Sequence, residues 1–153
     1  MTGRRRTTFS VEVDAAALLS PRGVARIFTA VLTALRADAR GADADLLPRH
    51  PLPPEARQAA LTLQQLCSSP GRHPFDGVEV DPRDDAQWEQ LLVLAPYAPR
   101  VSLRAGRWTD LFQSSGDLAS VRLELLPTQA TSVTTALTEL SPSGLGAARL
   151  RAR

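Results

Sequence analysis

Apolar residues recur along this chain with two different periods, and that switching restricts the possible folds more than any other feature. Phe9, Val11 and Val13 alternate with Ser10 and Glu12; Val101, Leu103 and Ala105 alternate with Ser102 and Arg104; Val121, Leu123 and Leu125 alternate with Arg122 and Glu124. A period of two sends successive side chains to opposite sides of a strand, so each run builds a strand with one dry and one wet face. Elsewhere Val24, Ile27, Phe28, Val31 and Leu35 recur at helical spacing, which gathers them on one side of a helix. A chain that mixes wet-faced strands with amphipathic helices is expected to fold as α+β, with helices on one face of a mixed or mainly antiparallel sheet.

The local signals place the elements. Residues 1–8 hold three arginines and no apolar period, and read as a disordered basic arm; the first strand is predicted at about 8–13. Ser20-Pro21 opens the first helix, over about 21–39, because serine satisfies a free N–H and proline at the first helical position lacks one. Residues 41–54 are rich in aspartate and proline and read as a loop. A second helix begins at Pro54, with Ala56, Ala59, Ala60, Leu63, Leu66 and Cys67 on its apolar side. A short strand at 77–80 precedes a third helix capped by Asp81-Pro82, with Trp88, Leu91, Leu92 and Ala95 facing inward. Further strands are predicted near 101–105, 108–112 and 121–125, then a helix over 131–140, where three threonines in the first five residues leave a strand as the alternative, and a flexible tail from 141 to 153. At 153 residues the length suits one domain. The expectation is a single two-layer domain over 9–140, with about five strands and three to four helices. Ile27, Val31, Trp88, Leu91, Leu92, Leu103 and Leu123 form its predicted core.

Charge narrows the function classes. All 18 positive residues are arginine, and the sequence pI is near 9.4. Six of them (Arg4, Arg5, Arg6, Arg149, Arg151 and Arg153) lie at the two ends, while 12 arginines face 16 carboxylates between residues 7 and 148. The basicity therefore belongs to the ends, whereas a duplex-binding domain carries its basic patch on the fold. The absence of lysine, with abundant alanine and proline, reads as GC-rich coding. One cysteine, Cys67, permits no intramolecular disulfide, and neither a signal-peptide core nor an apolar span of about 20 residues occurs. The expected compartment is cytoplasmic, without a membrane.

Few residues have the spacing of chemistry. Cys67, His50 and His73 show none of the paired spacings of a metal site. Cys67, His73 and Asp76 lie close in sequence, as a thiol nucleophile and its base would, but Cys67 closes the apolar side of a helix and reads as a packed thiol. Asp43 and Asp45 read as loop charges, and Asp84 and Asp85 as stabilisers of a helix start. No glycine-rich phosphate loop is present, so no cofactor is expected.

One polar pattern stands out. Arg22, Arg26, Thr29, Thr33, Arg36 and Arg40 recur in alternating steps of four and three, forming a stripe opposite the apolar side of the first helix. Arg22, Arg26, Arg36 and Arg40 are the candidate partner-binding residues, since a planar guanidinium suits carboxylates and phosphates. Trp108, flanked by Arg104 and Arg107, reads as a core strand residue, with an exposed interface anchor as the alternative. The leading functional expectation is a non-enzymatic protein-interaction module. That class covers an adaptor, an immunity-type protein or a regulatory subunit of a larger bacterial assembly, with another, acidic protein as partner. A nucleic-acid-binding accessory protein using its arginine-rich ends is the alternative, and a small enzyme with a dispersed site comes third.

Overall fold

The computed structural model describes residues 5–13, 20–46, 51–67, 77–140 and 148–153. Within them the chain runs β1 (Thr7–Val13), α1 (Pro21–Leu35), β2 (Gly41–Ala44), α2 (Pro54–Cys67), β3 (Val78–Val80), α3 (Asp85–Leu94), β4 (Val101–Arg104), β5 (Asp110–Ser114), β6 (Arg122–Leu125), α4 (Pro127–Glu139) and β7 (Ala148–Ala152). Single turns of 3-10 helix occupy Arg36–Asp38 and Leu118–Ser120. The strands form one sheet in the order β3-β2-β4-β5-β6-β1-β7, with every pairing antiparallel. The class is α+β, with more strands than the five or so read from the sequence. Among the described residues no helix is long and apolar enough to cross a membrane.

The register shows how the alternating pattern becomes two faces. Val80, Ala42, Leu103, Phe112, Leu123 and Phe9 stand side by side across six strands, and all but Phe9 are buried. The neighbouring row is Glu79, Asp43, Ser102, Gln113, Arg122, Ser10 and Arg151. One face is therefore apolar and covered by the helices, and the other is polar and open. A bulge shifts the β4–β5 register so that Arg104 stands opposite Asp110. The extra residue lets Leu111 and Phe112 both enter the core.

The helices form one layer in the spatial order α2, α3, α1, α4, each packed on the next. Ser20 accepts a hydrogen bond from the Gly23 N–H at 3.1 Å and Pro21 follows it, as the sequence predicts. Phe28 then meets Phe112 edge-on, with ring centroids 6.0 Å apart, which seats α1 on the middle of the sheet. In topology β1-α1 and β5-β6-α4-β7 trace a split β-α-β-β-α-β unit. The run β2-α2-β3-α3-β4 is inserted into it and widens the sheet.

Several expectations are corrected. The first helix ends at Leu35, not near 39: the Ala39 N–H bonds back three residues to the Arg36 carbonyl, and this tighter turn swings the chain into β2. The 41–54 region starts as a strand, because Ala42 and Ala44 are buried between β3 and β4. Asp84, not Asp81, caps α3, accepting from the Gln87 N–H at 3.0 Å. Leu92 is half-buried, unlike the other predicted core residues. The largest correction concerns the tail: residues 148–152 form β7, paired with β1 along their length.

Candidate functional site

Ion pairing divides the arginines into those that serve the fold and those that do not. On the open face Arg100 and Arg104 reach Asp43 at 3.4 and 3.2 Å, Arg122 reaches Glu124 at 3.1 Å, and Arg149 and Arg151 converge on Glu12 at 3.2 and 3.3 Å. Arg6 donates to the Glu124 carbonyl and to Gln129 Oε1. The arginines at the chain ends, expected to be mobile, are thus partly tied into the sheet. Burial pushes the Asp43 carboxyl above the usual carboxylate range, outweighing the pull of Arg104 and Arg100 in the other direction.

The structure splits the predicted stripe. Arg36 clamps α1 onto α3: its Nε donates to the Pro82 carbonyl at 2.7 Å, its terminal nitrogen meets Asp85 at 2.6 Å, and the guanidinium lies 5.2 Å from the Trp88 ring centre. Arg40 lies beyond the helix and lines a cavity of about 760 Å³ with Arg83, Arg104, Glu79, Asp81 and Cys67. Arg22 and Arg26 remain together, exposed and, among the described residues, without a carboxylate in ion-pair range.

Those two arginines stand on the rim of a groove of about 770 Å³ between α1 and α4. Ala30, Ala34 and Ala136 line it, with Thr29, Thr33 and Thr135 along its walls and Glu139 on the α4 side. On α4, the Thr131 and Ser132 hydroxyls donate to the carbonyls of Pro127 and Thr128 at 3.0 and 3.1 Å. With those donors engaged inside their own helix, the wall presents mainly methyl and methylene surface. β1 and β6 are antiparallel, and α1 and α4 are the helices that follow them in the chain and pack on each other, so α1 and α4 run in opposite directions. The start of α1 and the end of α4 therefore share one end of the groove.

That end brings together Arg22 and Arg26 on α1 and Glu139 at the end of α4, which among the described residues is outside ion-pair range of both. The first turn of α1 contains no acidic residue, while Arg22 and Arg26 sit within its first two turns. A cation in the first turn, such as Arg22, opposes the positive end of the helix dipole at a cost of about 0.3–1 kcal/mol, and like charges four residues apart also repel. A partner carboxylate within ion-pair range of both arginines would relieve both terms more than Glu139 does from where it stands.

The other sequence candidates fare differently. Cys67 is half-buried, and its Sγ–H donates to Gln87 Oε1 at 3.4 Å. Burial, reinforced by Asp84, raises its pKa and disfavours the thiolate that nucleophilic chemistry needs. His50, His73 and Asp76 lie outside the described residues. Trp108 is not in the core: it projects from the tip of the β4–β5 hairpin, 88% exposed, with Arg107 5.4 Å from its ring centre. Sequence reasoning also missed the α4 wall. Its signal was legible as Thr131, Ser132, Thr135, Ala136 and Glu139, small or polar residues at helical spacing. Comparison with protein-family models, with curated proteins and with solved structures finds no match for this chain.

Proposed function

We propose that this protein is a non-enzymatic interaction module, of the adaptor, immunity or regulatory-subunit type, that docks an acidic helical segment of a partner protein in the α1/α4 groove. The observation that carries the reading is the pair Arg22 and Arg26, with no carboxylate in ion-pair range among the described residues, near the positive end of α1 and on the rim of an apolar groove. Two antiparallel helices with small residues between them offer a bed for a third helix, the helix-in-groove mode of recognition. The 15 residues of α1 span about 22 Å at roughly 1.5 Å per residue, enough for four turns of partner helix. Its acidic residues would meet Arg22 and Arg26, and its apolar side would cover Ala30, Ala34 and Ala136.

The test uses a designed amphipathic helical peptide with glutamates on its polar side, a lysine version of it, and a DNA duplex. The acidic peptide should shift the amide resonances of Ala30, Ala34 and Ala136. The R22E/R26E variant should lose at least about tenfold in affinity, or 1.4 kcal/mol, and gain binding to the lysine peptide. Tighter binding of the duplex, with the steep salt dependence of phosphate contacts, would replace this reading. Unchanged affinity of the double variant would remove the groove from consideration.

A further inference from the structure

We infer that the outer edge of β7 is a second docking surface, built to add an extended acidic strand from a partner protein to the sheet. It is separate from the α1/α4 groove and does not depend on it. β7 ends the sheet order, and among the described residues no strand pairs with its outer side. The register then decides which backbone groups are free. Phe9 stands opposite Ala152, Ser10 opposite Arg151, Val11 opposite Leu150 and Glu12 opposite Arg149. The Arg153 N–H donates to the Thr8 carbonyl at 3.0 Å. In an antiparallel pair, hydrogen-bonded and non-hydrogen-bonded positions alternate. Arg149, Arg151 and Arg153 therefore bond inward to β1, and the N–H and C=O groups of Ala148, Leu150 and Ala152 point outward. Three residues in register offer a ladder that an incoming strand can complete.

The side chains specify that strand. Arg149 and Arg151 flank this edge on the open face and share one carboxylate, Glu12. Two guanidiniums on one carboxylate leave a net positive charge, and each keeps further N–H donors. Residues opposite Arg149 and Arg151 on an added strand fall in the closely spaced, non-hydrogen-bonded positions, where opposite charges stabilise and like charges destabilise. On the other face Leu150 is half-buried and Ala148 is buried beside α4. The fitting sequence alternates acidic with apolar residues, in extended form. β1 already shows the pattern on the inner side, where Val13, Glu12 and Val11 face Ala148, Arg149 and Leu150. A second copy of β7 does not fit. Paired antiparallel about Leu150, it would set Arg149 of each chain against Arg151 of the other.

The experiment follows amide hydrogen exchange in the full chain, with an end-capped Glu-Val-Glu-Val-Glu peptide and its Lys-Val-Lys-Val-Lys counterpart as probes. Alone, the chain should exchange quickly at Leu150 and Ala152 and slowly at Arg149 and Arg151. The acidic peptide should slow Leu150 and Ala152 by at least about tenfold, and the basic one should not. Leu150→Pro removes an outward donor, as proline at a sheet edge can, together with the Leu150 packing, and should abolish binding, whereas Leu150→Ala, which loses the packing but keeps the donor, should still bind. R149E/R151E should transfer the preference to the basic peptide, and R22E/R26E should leave it unchanged. Equal effects of both peptides, or no slowing at Leu150 and Ala152, would overturn the inference. Protection there that rises with protein concentration alone would mean a second copy occupies the edge, and would overturn it too.

Discussion

Two polar groups, one buried and one half-buried, show what single residues cost this fold. Ser114 stands on the core side of β5, and among the described residues its hydroxyl has no hydrogen-bond partner. A buried hydroxyl without a partner carries its desolvation cost uncompensated, so Ser114→Ala should stabilise the protein by about 1 kcal/mol in urea denaturation. A loss of stability would show that the hydroxyl is satisfied after all. Asp43 is the opposite case, paired with Arg100 and Arg104 yet held above the usual carboxylate range by burial. Its folded form binds the proton more tightly than the unfolded chain does. Its contribution to stability is therefore greatest in acid and is lost as the pH rises through the raised pKa. Unfolding free energies of wild type and Asp43→Asn across the acid range should differ by an amount that moves against the wild type as pH increases. A difference of opposite slope would mean that the two arginines, not burial, govern the site. Neither effect was legible beforehand: Asp43 read as a loop charge, and nothing in a sequence separates Ser114 from the solvated serines beside it.

At the scale of elements, the clamp between α1 and α3 is the clearest departure from pattern reading. Helical spacing puts Arg36 on the same stripe as Arg22 and Arg26, but α1 ends at Leu35 and the following turn aims Arg36 at Pro82, Asp85 and Trp88. Asp85 is 86% exposed, so the ion pair itself contributes little. The charge-assisted bond to the Pro82 carbonyl and the contact with the Trp88 ring contribute more. Arg36→Ala should destabilise the protein by about 1–2 kcal/mol, and Arg36→Lys should recover only part of that, since it keeps charge but not the planar fork. Two equally stable variants would return Arg36 to the solvated surface. The helix itself was readable from Ser20-Pro21 and its apolar spacing. β2 was not, because glycine, alanine and aspartate have weak strand preference. Its two neighbours, β3 and β4, impose the extended form.

Across the whole molecule, β7 links the two chain ends and turns β1 from an edge into an interior strand. Removing residues 148–153 exposes β1 and deletes the contacts of Ala148 and Leu150. If ladder and packing together contribute about 3 kcal/mol, the melting temperature should fall by roughly 6–12 °C, at ~2–4 °C per kcal/mol for a chain of this size. A free tail would leave it unchanged. The class of fold, the first three helices, most core residues and the cap at Ser20 were determined by the sequence alone, because they rest on interactions within a few residues: spacing, caps and turn chemistry. The fourth helix was left between helix and strand by its threonines. Which arginines remain free was decided only by the tertiary structure. Arg22, Arg26, Arg36 and Arg40 are equivalent as a pattern, yet one clamps a helix, one turns to another cavity, and two stand over a groove whose far wall lies over 90 residues away in sequence. Likewise Ala148, Leu150 and Ala152 alternate with arginines as a strand should. Five residues cannot hold an extended form by themselves, however, and it took the open side of β1 to make them one.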